Sequence, residues 1–247
     1  MPYECIFVIP ARNEEKSIVE TVNRVSAAME QAFDSFKVVV VDASSTDSTP
    51  QILERLAREN SRLDVISGTR PHQKGFDIHN AFMKYDSSIY GFLDSDTPEM
   101  SQYILPAANL IKGGYDIVIG SRYKGGAKLD RPKSRVVVSG LYNKTINAIF
   151  GDGILDHQCG FKLFSKNAWA AISPLAREKK WPWDTEVLLI ARGMGMKIYE
   201  MPISWRDSRG RTPIENISRV LSDASIFIPA TLRFIYRFKI LHRLSKA

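Results

Sequence analysis

The chain has 247 residues, 44% hydrophobic and 25% charged, enough to bury a real core as one globular domain with a tail. Lys and Arg outnumber Asp and Glu by 34 to 27, a net charge of +7 that favours anionic partners such as nucleotide phosphates, lipid phosphates or nucleic acid. Cys5 and Cys159 are the only cysteines, which excludes a disulfide framework or a Cys-rich metal site and fits a reducing compartment.

Residues 5–9 read as a short apolar strand. No basic region followed by a long apolar stretch precedes it, so no signal peptide is expected and the protein is placed in the cytoplasm. Residues 15–33 have helical spacing, and 37–41 form a buried strand rich in β-branched side chains. Residues 49–60 look helical, 63–67 extended, 75–85 helical, 89–93 extended, 100–113 helical and 116–119 extended. This alternation predicts a mostly parallel sheet flanked by helices, built by right-handed crossovers. In such sheets ligands bind outside the carboxyl ends of the strands, so the polar residues just after each strand are the informative ones. Beyond Gly120 the pattern loosens into a loop with Lys124, Gly125, Gly126 and Lys128. A helix over 134–150 and short strands near 161–164 and 197–203 follow, without repeats or low-complexity segments.

No apolar run approaches the ~20 residues needed to span a bilayer. In residues 226–244, however, Phe227, Leu232, Phe234, Ile235, Tyr236, Phe238, Ile240, Leu241 and Leu244 are interspersed with Arg233, Arg237, Lys239, His242 and Arg243. That is the composition of an amphipathic helix lying in a membrane interface. Pro229 is expected to start or kink it, leaving 231–244 to insert. The alternative is a helix packed on the domain or on another subunit.

The first strand ends in Pro10-Ala11-Arg12-Asn13-Glu14-Glu15 and the second in Asp42-Ala43-Ser44-Ser45-Thr46-Asp47-Ser48-Thr49. Small polar residues at two adjacent strand ends suit a base and ribose, and equally suit helix capping by Asn13, Asp47 and Ser48. Phe92-Leu93-Asp94-Ser95-Asp96 puts two carboxylates at i and i+2 directly after an apolar strand. They can converge on one divalent cation bridging the phosphates of a nucleoside diphosphate, or simply close an Asx turn. The histidines, His72, His79, His157 and His242, are scattered, so neither a zinc site nor a Cys-His catalytic pair is indicated.

These segments, with Val8-Ile9, Lys74-Gly75, Gly120-Ser121-Arg122-Tyr123 and Asp156-His157-Gln158-Cys159-Gly160-Phe161-Lys162, occur in the order found in family 2 glycosyltransferases. The last two motifs resemble dolichyl-phosphate mannose and glucose synthases, and the match covers roughly residues 4–207. The resemblance implies the glycosyltransferase-A fold, inversion at the anomeric carbon and a polyprenyl-phosphate acceptor. Mg2+ or Mn2+ is expected at the paired acids. With the tail read from its own composition, the chain divides into a catalytic domain over 1–215, with a nucleotide-sugar half (1–120) and an acceptor half (121–215), and a membrane-surface tail of amphipathic interface helices over 216–247, peripheral at the inner face of a membrane. The implied partners are a nucleotide-sugar, GDP-mannose or UDP-glucose, and a dolichyl or polyprenyl phosphate. No nucleic-acid recognition motif is present.

Residue by residue, the resemblance assigns Pro10, Ala11, Asn13, Glu14, Asp42, Lys74, Asp94, Ser95, Asp96 and Arg206 to the nucleotide-sugar. It gives the metal to Asp96 and the acceptor to Arg122, Arg135, Ser139 and Gln158, with Asp94, Asp96 and Arg122 as the catalytic set. Arginine's planar fork suits phosphate oxygens, which agrees with Arg122 and Arg135 at a headgroup. Cys159 reads as a small buried hydrophobe rather than a nucleophile. Trp181-Pro182-Trp183-Asp184-Thr185-Glu186 resembles the family's aromatic-Asp-x-Glu segment, and Asp184 and Glu186 are candidates for sugar or acceptor contact. Arg206, Arg209 and Arg211 are candidates for a basic loop over the diphosphate. Two features depart from the family: Asp42 is followed by Ala43 rather than a second acid, and Pro98 stands where a further polar metal ligand occurs, leaving Glu99, water or the diphosphate to complete a site. The rival readings are a related transferase with a soluble acceptor such as a phosphoglycerate, and a non-catalytic nucleotide-sugar or lipid-binding protein.

Overall fold

The computed structural model describes residues 2–67, 73–130, 133–206 and 213–241. Seven strands form one sheet: β1 (Tyr3–Ala11), β2 (Phe36–Asp42), β3 (Leu63–Ser67), β4 (Ser87–Leu93), β5 (Ile117–Ser121), β7 (Phe161–Ser165) and β8 (Ile198–Pro202). Their order is β3-β2-β1-β4-β7-β5-β8. β7 runs antiparallel to β4 and β5, and every other pair in the sheet is parallel. The expected mostly parallel sheet is therefore what forms.

Side chains alternate across β1 and β2 and divide the core in two. Cys5, Phe7, Ile9, Val38 and Val40 pack against α1 (Ile18–Ala32), α2 (Thr49–Glu59) and α4 (Ile104–Lys112). Ile6, Val8, Val39 and Val41 pack against α3 (Lys74–Lys84), α6 (Lys166–Ile172) and α7 (Trp183–Gly193). A strand covered on both faces has to be apolar throughout, which is why β1 and β2 read as continuous hydrophobic runs.

Differences from the sequence reading are local. Residues 100–113 divide into a 3₁₀ turn (Pro98–Tyr103) and α4. Pro98 lacks a backbone donor, and the Ser101 hydroxyl bonds its carbonyl at 2.8 Å. α6, with seven residues, is too short to show a periodicity, and its signal is the Ser165 hydroxyl accepting from the Ala168 amide. The stretch read as a loop after Gly120 contains β6 (Lys128–Asp130), paired in parallel with β9 (Ser204–Arg206) as a second, two-stranded sheet.

The last described elements are α5 (Lys133–Phe150), α8 (Pro213–Phe234) and a π-helical segment over Ile235–Leu241. α8 continues through Pro229, so that residue does not start the helix. One stripe of the tail is internal: Ala230 and Phe234 are buried with Ile146 of α5 and Leu189 of α7. Phe227 meets the Tyr142 ring at 4.8 Å, and Phe238 meets Phe150 at 6.5 Å. The packed-helix alternative therefore describes this stripe. A second stripe, Ile228, Leu232 and Tyr236, repeats every four residues and is exposed.

Candidate functional site

A cleft of about 230 Å3 opens at the carboxyl ends of β1, β2 and β4, beside the N-terminus of α3. Pro10, Ala11, Asn13 and Glu14 line it after β1, and Ala43 does so after β2. Lys74 and Asp77 contribute from α3, and Asp94, Ser95 and Asp96 from the turn after β4. Trp181, from the segment joining α6 to α7, forms another part of the wall.

The first two loops are tied to each other. The Asn13 amide donates to Ser45 Oγ at 2.9 Å, and the Thr46 amide to Asn13 Oδ1 at 2.8 Å. The Glu14 amide donates to Thr49 Oγ1 at 2.9 Å, and the Ser48 amide to Glu15 Oε2 at 3.0 Å. Asn13 and Ser44 hold left-handed backbones at φ 54° and 56°, a conformation that asparagine accepts more readily than most residues. Asn13 is thus a bridge between loops rather than a helix cap. Asp47 does have a capping-type contact, because its Oδ1 accepts from the Thr49 amide. The Asp42 carboxylate turns to the Ser45 amide at 3.3 Å.

Lys74 sits at the base of the cleft with 6% of its side chain exposed, its ammonium 2.7 Å from Asp94 Oδ1 and 3.2 Å from Asp184 Oδ2. Asp184 is also 2.6 Å from Lys162, which is wholly buried and donates to the carbonyls of His157 and Cys159. Burial disfavours the Lys74 charge, but Asp184 and Asp94 outweigh it and hold the group above the ordinary lysine value. The Lys74 ammonium also lies 5.0 Å from the centres of the Phe92 and Trp181 rings, within cation–π range. Two close approaches require glycine. A Cβ on Gly160 would fall 2.0 Å from Asp94 Oδ2, and one on Gly75 would fall 2.3 Å from Trp183 Cβ. The Asp94 amide donates to the Gly160 carbonyl at 2.9 Å.

Arg122 lies at the end of β5. Its Nε and Nη2 clasp the two oxygens of the fully buried Asp156 at 2.7 and 2.8 Å, leaving Nη1 outside that pairing. Burial opposes both charges. The pairing outweighs it, lowering the Asp156 carboxyl and raising the Arg122 guanidinium from their ordinary values. Glu200 of β8 receives the Leu155 amide at 2.9 Å and the Asp156 amide at 3.2 Å, fixing the loop that presents Asp156. Ser139 shares a hydrogen bond with the Tyr123 hydroxyl. Gln158 Nε2 donates to Thr185 Oγ1 at 2.8 Å, and the same oxygen bonds the Tyr142 hydroxyl. Cys159 is buried, which pushes its thiol up to about 12 and agrees with an inert hydrophobe.

The fold therefore gathers eight of the ten residues assigned to the nucleotide-sugar, Pro10, Ala11, Asn13, Glu14, Lys74, Asp94, Ser95 and Asp96, around the same cleft, while Asp42 lies outside its lining. Arg122, Ser139 and Gln158 lie outside its lining. The side chains of Arg135 and Arg206, and residues Arg209 and Arg211 entirely, lie outside the described residues. Asp184 and Glu186 are buried, at 1% exposure each, and serve internal ion pairs. Asp77, one helical turn beyond Lys74 on α3, was legible only through that spacing. Trp181 opens the aromatic motif noted in the sequence, but the motif pointed to Asp184 and Glu186, and in an irregular segment no period placed the indole at the cleft.

The described residues contain no cluster of three or more His, Cys, Asp or Glu side chains that could hold a metal alone. Asp96 on the cleft wall, beside Asp94 held by Lys74, is a donor set of the kind Mg2+ and Mn2+ complete with phosphate oxygens and water. The residues present fit a cation shared with a diphosphate.

Comparison with known proteins agrees with this geometry. The chain is 30% identical over 246 residues to glycosyltransferase AglD of Haloferax volcanii, covering 98% of this chain and 39% of that protein. It is 28% identical over 255 residues to a dolichyl-phosphate beta-glucosyltransferase of Saccharomyces cerevisiae, covering 93% of this chain and 75% of that protein. Glucosyl-3-phosphoglycerate synthase from Mycobacterium tuberculosis, solved with Mn2+, uridine diphosphate and phosphoglyceric acid, superposes with a TM-score of 0.67 at 20% identity, over 92% of this chain and 78% of that one. That likeness is of fold, and it is the glycosyltransferase-A architecture implied by the sequence. Residues 6–172 match the model of glycosyl transferase family 2, and with the strand-end cleft and its two aspartates this makes the chain a member of that family.

Proposed function

We propose that this protein is an inverting glycosyltransferase that moves a hexose from a nucleotide-sugar, GDP-mannose or UDP-glucose, to dolichyl or another polyprenyl phosphate. The observation that carries the reading is the Asp94–Asp96 pair on a strand-end cleft, in a chain similar to a dolichyl-phosphate beta-glucosyltransferase. Pro10, Ala11 and the tied loops after β1 and β2 take the nucleoside. Asp96 would hold Mg2+ or Mn2+, which supplies positive charge to the departing diphosphate. Lys74 holds Asp94 toward ribose or sugar and adds its own positive charge to the cleft floor.

A phosphate monoester carries ~1.5 to 2 negative charges near pH 7 and is already nucleophilic, so positioning matters more than a general base. Arg122, oriented by Asp156, presents its remaining N–H groups to that phosphate together with Arg135 and Ser139. The decisive experiment offers labelled GDP-mannose and UDP-glucose with either a polyprenyl phosphate in detergent or 3-phosphoglycerate. A labelled lipid supports the reading, and label only in phosphoglycerate overturns it. In the same assay Arg122→Lys should raise the acceptor KM about tenfold (~1.4 kcal/mol), because charge is kept and the fork is lost. Donor KM should stay within about twofold by the same reasoning. Alanine is a poorer choice there, since it strands the buried Asp156.

Attachment to a membrane follows from the same acceptor. No described helix is long and apolar enough to cross a bilayer. Val137 and Leu141 of α5 and Ile228, Leu232 and Tyr236 of the tail are instead exposed. This surface rests on the lipid headgroups at the inner face of the membrane. Removing a large apolar side chain from such an interface costs ~1.5 to 3 kcal/mol, so Leu232→Asp should weaken binding to anionic vesicles by about tenfold or more. Co-sedimentation identical to that of the unmodified protein would remove the tail stripe from the interface.

A further inference from the structure

Trp181 reaches the cleft from the irregular segment between α6 and α7, and two carboxylates, Glu186 of α7 and Glu178 of the segment itself, bind several of its backbone amides. Glu186 Oε2 accepts the Arg177 and Glu178 amides at 2.8 and 2.7 Å. Glu178 Oε1 accepts the Lys179 amide at 3.1 Å and the Lys180 amide at 3.4 Å. On its far side the segment meets α3, where the Phe76 amide donates to the Lys179 carbonyl at 2.9 Å, beside Lys74.

Each carboxylate gives its other oxygen to the tail. Arg237 donates from Nη1 to Glu186 and from Nη2 to the Leu175 carbonyl, and Arg233 donates to Glu178. Glu186 is 2% exposed at its side chain and Arg237 20%, so this pair is largely withdrawn from solvent, whereas Arg233 is 59% exposed. Without a counter-charge, a buried carboxylate at Glu186 has to protonate or move, and either change loosens the two amides it holds.

We infer that Arg237 is a positioning residue of the donor cleft: through Glu186 and the Leu175 carbonyl it sets the segment that carries Trp181. The tail is then both the proposed membrane contact, through Ile228, Leu232 and Tyr236, and part of the scaffold of the donor site. The inference rests on reading the cleft as the donor site.

Calorimetric titration of the full chain with UDP and with GDP, each with Mn2+, tests it without any acceptor or membrane. Arg237→Met is expected to weaken binding of whichever nucleotide the unmodified protein takes by about five- to tenfold, and Arg237→Lys to recover at least half of that loss on a logarithmic scale. Trp181→Ala should weaken the same binding, and the double variant should be no weaker than the poorer single one, because both changes remove one wall. An unchanged dissociation constant in Arg237→Met overturns the inference. So does a fall in stoichiometry alone, which marks a purely structural role, and so do losses that multiply in the double variant. Failure of the unmodified protein to bind either nucleotide would instead overturn the donor-site reading beneath it.

Discussion

Asp96→Ala is expected to lower transfer by on the order of 10³-fold, about 4 kcal/mol of transition-state stabilisation. The carboxylate stands on the cleft wall three residues after the end of β4, and the described residues provide no alternative cluster of acids to take its place. Its neighbour Asp94 is committed to Lys74 at 2.7 Å. Glu99 lies on the 3₁₀ turn rather than in the cleft lining, and Pro98 has no side-chain donor atom. Asp96 is half-buried on the wall of an open cleft rather than in either core cluster, so the variant should remain folded. Turnover assays with and without excess chelator check the assignment. Chelator should reduce the unmodified protein toward the variant and leave the variant unaffected. Full activity in chelator, or in Asp96→Ala, would remove the metal from the mechanism.

Lys74→Met should be costly in both stability and donor binding. The side chain is almost completely enclosed between two carboxylates, and taking one partner from a buried pair costs ~3 to 5 kcal/mol. Asp184 retains Lys162 at 2.6 Å, whereas Asp94 is 23% exposed and can recover some hydration, which points to the lower end of that range. A loss of ~3 kcal/mol is a large part of the ~5 to 15 kcal/mol that stabilises an ordinary domain, yet leaves it folded. Freed from Lys74, Asp94 no longer has a fixed direction, so nucleotide affinity should fall by at least tenfold, ~1.4 kcal/mol. Urea titration and calorimetry with UDP and GDP measure the two effects. A stability change below ~1 kcal/mol would show that the ion pairs are not a supporting network.

The two predictions differ in how much of their basis could be read from the chain alone. Asp96 announces itself as the second acid after an apolar run, and the strand assignment that makes it meaningful comes from Phe92 and Leu93. Both faces of β1, β2 and β4 are covered by helices, so their sequences had to be apolar throughout, and strands, crossovers and strand-end motifs were legible together. The Arg122 motif was read as a phosphate-binding pattern, whereas its bidentate hold on Asp156, which the structure shows, joins residues 34 apart in sequence. The Lys74–Asp94–Asp184–Lys162 network draws on α3, the end of β4, α7 and β7. No local period couples those positions, because burial of a charge is decided by whatever elements close around it. Asp184 and Glu186 illustrate this: next to an aromatic motif they read as ligand contacts, yet helix packing turns both inward to neutralise cations. The tail shows the same division. Its composition set out an apolar and basic helix, while tertiary packing decided that Ala230 and Phe234 enter the core and that Ile228 and Leu232 face outward. Sequence by itself determined which residues can donate charge, ligate or lie in an interface. Only the folded arrangement determined which of those charges meet each other and which remain for a substrate, since that depends on distances between segments far apart in the chain.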